Sequence, residues 1–270
     1  MGRRANAGRL TSWIRGDFGS LDIYQGIAIV NKGGGTALIR GLYIQTPTSD
    51  AVILRGLTFI WNGESNYHAV GVFTVNTLVI DHCDISGFQG GSGDASGTAI
   101  FFTPNNAARL EVFDSVLAFD GSSSLGAIHI ATQPGGSVSA EIERVRILEA
   151  QGNGIRVDST TSGAGAVKVE LRDVTVHASG GGSGIVAVSP TGGGAPAVIY
   201  ADNVAAMGNA GYGLRAVGGT AKIFLHRSTI ANNGNRIGVS SGGAIVTNAD
   251  NSFFDNANGD GSTTSTLALK

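Results

Sequence analysis

The chain has 270 residues, with 18 Lys plus Arg against 20 Asp plus Glu and a formal net charge of −2. That near-balance excludes the clustered basic excess of a nucleic-acid-binding protein, and 42% hydrophobic residues exclude a disordered Gly/Ser chain. Gly occurs 43 times, about twice its ordinary frequency, with five Pro and no Gly-X-Y period; collagen is excluded and an all-β chain rich in turns remains.

The opening segment MGRRANAGRLTSWIRG is basic but lacks the apolar core of a signal peptide. Leu10, Trp13 and Ile14 fall at i, i+3, i+4 spacing and predict a short amphipathic helix. It is read as an N-terminal cap over 1–16, shielding an open sheet edge. Cys83 is the single cysteine, so disulfides and Cys-rich metal sites are excluded; it reads as a small buried apolar residue. No run of 18 apolar residues exists, so no membrane-spanning helix is expected.

From 17 to 250 the chain repeats itself. ILRGLTF (53–59), VIDHCDI (79–85), EVFDSVL (111–117), EIERVRI (141–147), ELRDVTV (170–176), IYADNVA (199–205) and FLHRSTI (224–230) superpose without gaps. Their second residues, Leu54, Ile80, Val112, Ile142, Leu171, Tyr200 and Leu225, step by 26, 32, 30, 29, 29 and 25. A second set advances with them: AIFF (99–102), AIHI (127–130), GIRV (154–157), GIVA (184–187), GLRA (213–216) and AIVT (244–247). An internal repeat of about 29 residues signals a stacked architecture.

Within each unit, apolar and polar residues alternate at period two, the mark of a strand. Ile155 and Val157 point one way, Arg156 and Asp158 the other. No unit holds the helix that leucine-rich, ankyrin or tetratricopeptide repeats require, and propeller blades need four strands in about 40 residues. The expected fold is therefore all-β: a single-stranded parallel β-helix, or solenoid, of about eight coils with about 29 residues each. Two inward columns are predicted. One is Ile80, Val112, Ile142, Leu171, Tyr200 and Leu225; the other is Ile100, Ile128, Ile155, Ile185 and Leu214. The Gly/Ser tracts at 90–97, 179–184 and 191–196 read as bends, and 251–270 as a C-terminal tail or cap.

LEVFDSVLAFD, VELRDVTVHAS and IFLHRSTIANN, each followed by a strand of the second set, together with the ending STLALK, carry a family likeness. On these motifs, residues 20–270 resemble the right-handed parallel β-helix proteins of the pectate-lyase-like superfamily, and within it a group of bacterial repeat proteins without assigned activity. The resemblance implies right-handedness and favours an extracellular or cell-surface location. It does not select an activity, because that superfamily contains lyases, hydrolases, esterases, tailspikes and adhesins. Three readings stand: a glycan-binding scaffold, a polysaccharide lyase or glycoside hydrolase acting on an acidic polymer, and a tailspike or adhesin-like fibre.

Several candidate sites follow. Asn256, Asn258, Asp260 and Gly261 have EF-loop-like spacing, but Leu267 stands where a bidentate Glu is needed. GGSGDA (90–95) is an isolated partial match to a calcium-roll repeat, and GGGTAL (33–38) precedes no helix that could bind phosphate. No metal and no cofactor is expected. Gly56, His82, Asp114, Arg144, Asp173, Asp202 and Arg227 align as one charged position and predict a solvated salt-bridge ladder. The outward row of the second strand set is Phe101, His129, Arg156, Val186 and Arg215, with Asp158 sharing the face of Arg156. Phe101, His129, Arg156 and Arg215 form a ligand-binding strip suited to an acidic polysaccharide, and His129, Arg156 and Asp158 are the catalytic candidates. The superfamily's calcium sites use several carboxylates on neighbouring strands; this row supplies one, Asp158.

Overall fold

The computed structural model describes residues 19–33, 36–61, 68–90, 97–122, 124–161, 163–259 and 262–267, with the backbone of two short strands at Arg3–Arg4 and Gly16–Asp17. The helix predicted on Leu10, Trp13 and Ile14 lies outside the described residues, as do Asp260 and Gly261. The described residues contain no helix.

Three ten-stranded parallel sheets wind about one axis, and successive strands of the chain pass from sheet A to sheet B to sheet C. Leu42, Val70, Ile100, Ile128, Ile155, Ile185 and Leu214 are successive partners in sheet A, so the steps are 28, 30, 28, 27, 30 and 29 residues. The solenoid body makes about seven turns of roughly 28 residues, where the repeat predicted about eight of about 29. Shorter rungs flank it, with 21 residues from Leu21 to Leu42 and 23 from Leu214 to Ile237.

Period two explains the core. Ile100, Ile128, Ile155, Ile185 and Leu214 are consecutive partners and fully buried, as predicted. In sheet B the column Leu54, Ile80, Val112, Ile142, Leu171 continues through Ala201 to Leu225. Tyr200 does not belong to it: Tyr200 pairs with Glu170 and Phe224 and is 47% exposed. The step from Leu171 to its true partner is thirty residues, and one residue of slip moves a side chain to the opposite face. Ile199 and Ala201 take the inward positions and leave the phenol hydroxyl near water. Sheet C supplies a third column, Phe59, Ile85, Leu117, Ile147, Val176, Ala206 and Ile230.

The charged position is a corner. Gly56, His82, Asp114, Arg144, Asp173, Asn203 and Arg227 all have φ between 47° and 66°, at the bend from sheet B to sheet C. Asn203, not Asp202, occupies the equivalent place. A left-handed residue with a Cβ costs about 1–2 kcal/mol, and interstrand bonding continues through the bend as compensation. The amides of His82, Asp114, Arg144, Asp173 and Asn203 each donate to the next coil, at Phe113, Glu143, Arg172, Asp202 and His226. The expected ladder is partial: Arg144 grips Asp114 at 2.6 and 2.9 Å, while Asp173 accepts from the Asn203 amide group.

Buried backbone donors near the corners are met from inside. Ser115 Oγ accepts from Cys83 N, Ser228 Oγ from Val204 N, and Asn209 Oδ1 from Ser179 N, each at 3.0 Å. Asn233 and Asn256 extend the last ladder by one coil each. Cys83 is buried as expected, and desolvation pushes its thiol up to about 11. The Gly that opens some of these strands also has a cause: a Cβ at Gly154 would lie 2.1 Å from the Val176 side chain, and one at Gly213 would lie 2.3 Å from that of Ile230.

Candidate functional site

The outward row of sheet A runs in unbroken register: Gly71, Phe101, His129, Arg156, Val186, Arg215, Gly238. Its predicted residues are therefore neighbours at strand spacing, about 4.8 Å, and Arg215 lies two coils beyond Arg156. Their exposure differs from the expectation of an open solvent-facing strip. His129 is only 6% exposed and Asp158 8%, Phe101 and Arg156 are half-buried, and Arg215 is exposed.

Ring stacking accounts for the burial of His129. His68, just ahead of the strand Val70–Thr74, stacks on Phe101 at 4.1 Å and 2°, and Phe101 stacks on His129 at 5.4 Å and 19°. Arg156 is the register partner of His129 on its other side, one strand further on. His68 Nδ1 accepts from the Thr98 amide at 3.3 Å, which fixes a neutral ring with that nitrogen unprotonated. Desolvation brings the His68 pKa down to about 4. His129 is also lowered to about 4, first by burial and then by the charge of Arg156. Its Nδ1 has no hydrogen-bond partner among the described residues.

Arg156 folds back along its own strand. Its Nε and Nη2 donate to Asp158 Oδ2 at 3.0 and 2.6 Å, and Nη1 reaches the Ser124 carbonyl at 3.5 Å. Asp158 Oδ1 accepts from the Thr160 amide and hydroxyl at 2.9 and 2.6 Å. Burial opposes its ionisation, but Arg156 and Thr160 outweigh that and hold the carboxyl below its usual range.

Beyond Arg156 the row opens. Val186 is shorter than Arg156 and Arg215 on either side and lies, 4% exposed, at the bottom of the gap between them. The gap is a groove of about 380 Å³, also lined by Asn153, Ser183 and Tyr212. The Arg215 guanidinium lies 5.5 Å from the Tyr212 ring centre and has no carboxylate partner among the described residues. No protein-family model, curated protein or solved structure matches the chain. The groove is thus read from its own chemistry. Two guanidiniums, one paired with Asp158 and one without a carboxylate, flank the short side chain of Val186.

Sequence reasoning missed His68, Tyr212 and the role of Val186. Tyr212 was legible, since it stands two residues before Leu214 and next to the repeated Gly. His68 sits in a connection outside the repeat, and nothing in its spacing placed it on Phe101. One His/carboxylate cluster, Asp81, His82 and Asp114, brings its ligand atoms within 4.8 Å of one another. Its carboxylates already serve guanidiniums, Asp81 that of Arg55 at 2.6 Å and Asp114 that of Arg144.

Proposed function

We propose that this protein is a β-helix scaffold of the right-handed, pectate-lyase-like kind that binds an acidic glycan at the cell surface or outside the cell. The observation that carries the reading is the Val186 gap between Arg156 and Arg215. A guanidinium presents a planar donor fork that matches a carboxylate. A uronate seated over Val186 meets Arg215 directly and Arg156 from the other side.

A lyase or hydrolase needs a base that reaches the substrate. His129 is 6% exposed with Phe101 stacked on it, and Asp158 is held by Arg156 and Thr160, so this geometry favours binding over cleavage. A fibre reading needs a continuous apolar outer stripe. The exposed large apolar residues, among them Ile60, Phe73, Tyr200 and Phe254, are instead spread over all three sheets.

Titration of the full chain with trigalacturonate, followed by amide chemical shifts, tests the proposal. Shifts at 153–158, 183–188 and 212–217 are expected, with affinity reduced tenfold or more in Arg215→Gln. Unchanged spectra, or unchanged affinity in Arg215→Gln and Arg156→Gln, would remove the groove from consideration.

A further inference from the structure

A second groove lies on sheet B, on a different face of the solenoid. It crosses the strands Val167–Arg172, Ala197–Asp202, Ala221–His226 and Ala244–Asn248, with a volume of about 330 Å³. One wall is the row Glu170, Tyr200, Phe224, Val246. The other wall, two residues along each strand, is Arg172, Asp202, His226 and then Asn248. Between the walls the floor is backbone, because Leu171, Ala201 and Leu225 point into the core.

The two walls differ in kind. Tyr200 and Phe224 stack at 5.1 Å and 9°, in adjacent strands, and form a rigid apolar rim from which the Tyr200 ring projects to solvent. Holding such rings in place costs a ligand little ordering entropy. The opposite wall alternates hydrogen-bonding roles along the axis: Arg172 donates, Asp202 accepts, the His226 ring is polar, and the Asn248 amide does both.

The charges cancel locally. Arg172 is shared between Glu141 on the neighbouring strand, its nearer partner, and Glu170 at 3.5 Å, and Arg227 Nε donates to Asp202 Oδ1 at 2.8 Å. His226 is held between Asp202 at 3.1 Å and Asp250 at 2.7 Å. An anionic chain would face Glu170 and Asp202, and a cationic chain would face Arg172 and Arg227. A ligand with one apolar edge, one edge of hydroxyls and no net charge fits both walls.

We propose that this groove is a second binding site, for an uncharged oligosaccharide lying along the solenoid axis. Hydroxyls both donate and accept, so they match the alternating wall, and the C–H face of the sugar ring packs on Tyr200 and Phe224. The site is independent of the acidic-glycan groove on sheet A, and either can exist without the other.

Cellohexaose, xylohexaose, mannohexaose and maltohexaose are titrated in turn against the isotopically labelled full chain. At least one is expected to shift the amides of 170–172, 200–202, 224–226 and 246–248. Tyr200→Ala and Phe224→Ala should each weaken that binding tenfold or more, and Arg215→Ala should leave it unchanged. Silence with all four oligosaccharides overturns the proposal. So does binding that survives both aromatic substitutions, or a site that prefers trigalacturonate to every neutral chain. Because Tyr200 projects outward, Tyr200→Ala is expected to melt within a few degrees of the parent; should Phe224→Ala fail to fold, Tyr200→Ala and the titration of the parent decide the matter.

Discussion

Arg156 donates to Asp158 two residues along its own strand, with Nη2 at 2.6 Å and Nε at 3.0 Å from the same carboxylate oxygen. The pair sets how much positive charge the sheet A groove can offer. Removing the carboxylate charge while keeping its shape should release Arg156 toward the ligand. Asp158→Asn is therefore expected to strengthen trigalacturonate binding several-fold and to steepen its weakening with added salt. Calorimetric titration at two ionic strengths checks this; weaker binding in the variant would mean that Asp158 positions Arg156 instead of restraining it.

Leu171 and Tyr200 occupy adjacent strands but opposite faces, so one substitution at each separates them. Leu171→Asp places an unpaired charge in a dry column and should cost more than about 4 kcal/mol. Tyr200→Asp should cost no more than about 1 kcal/mol, because the carboxylate stays in water. Urea denaturation of both variants measures the contrast.

That contrast also marks what the sequence makes legible. The inward columns of sheets A and B follow from period two and from large apolar residues recurring in phase, and they hold wherever Ile, Leu or Val marks the position. They slip at Tyr200, because the inward residue there is Ala201, too small to stand out against a neighbouring aromatic ring. The charged position misleads for another reason. Side-chain alternation carries no information about φ, so the left-handed corner at His82, Asp114 and Arg144 resembles a solvent ladder. Gly56 and Asn203, both tolerant of that conformation, were the available signal. His129 is hidden by His68 and Phe101, which lie one coil or more away in sequence, and burial of that origin is a property of stacking.

Asp120 stands where other coils carry Asn209, Asn233 and Asn256. Its Oδ1 accepts from Phe88 N at 2.8 Å, while Oδ2 has no partner among the described residues. Burial raises its pKa well above the ordinary value. The unfolded carboxyl ionises near pH 3.9 and the folded one holds its proton to higher pH, so this group lowers stability as pH rises from that point to the folded pKa. Asp120→Asn should stabilise the protein at pH 7 by about 1–2 kcal/mol and have little effect at pH 3.5. Denaturant midpoints at the two pH values test both the sign and the window.

His68 and His129 act in the opposite direction. Both have folded pKa values lowered to about 4, against about 6.5 for the free side chain. Their contribution is fully present above pH 6.5 and is lost as pH falls toward 4, because the unfolded chain takes up protons first. The loss is at most about 3 kcal/mol for each ring. His129→Leu should flatten the fall in stability between pH 6.5 and 4.5; an equally steep fall would show that the buried imidazole does not drive it.

The proposed function rests on a carboxylate site across Val186. A crystal structure of the full chain soaked with trigalacturonate tests it most directly. Density is expected for a sugar carboxylate within hydrogen-bond distance of the Arg215 guanidinium, with Arg156 on its far side. A saturating soak with the Val186 gap empty, or with the trisaccharide ordered on another sheet, would contradict it.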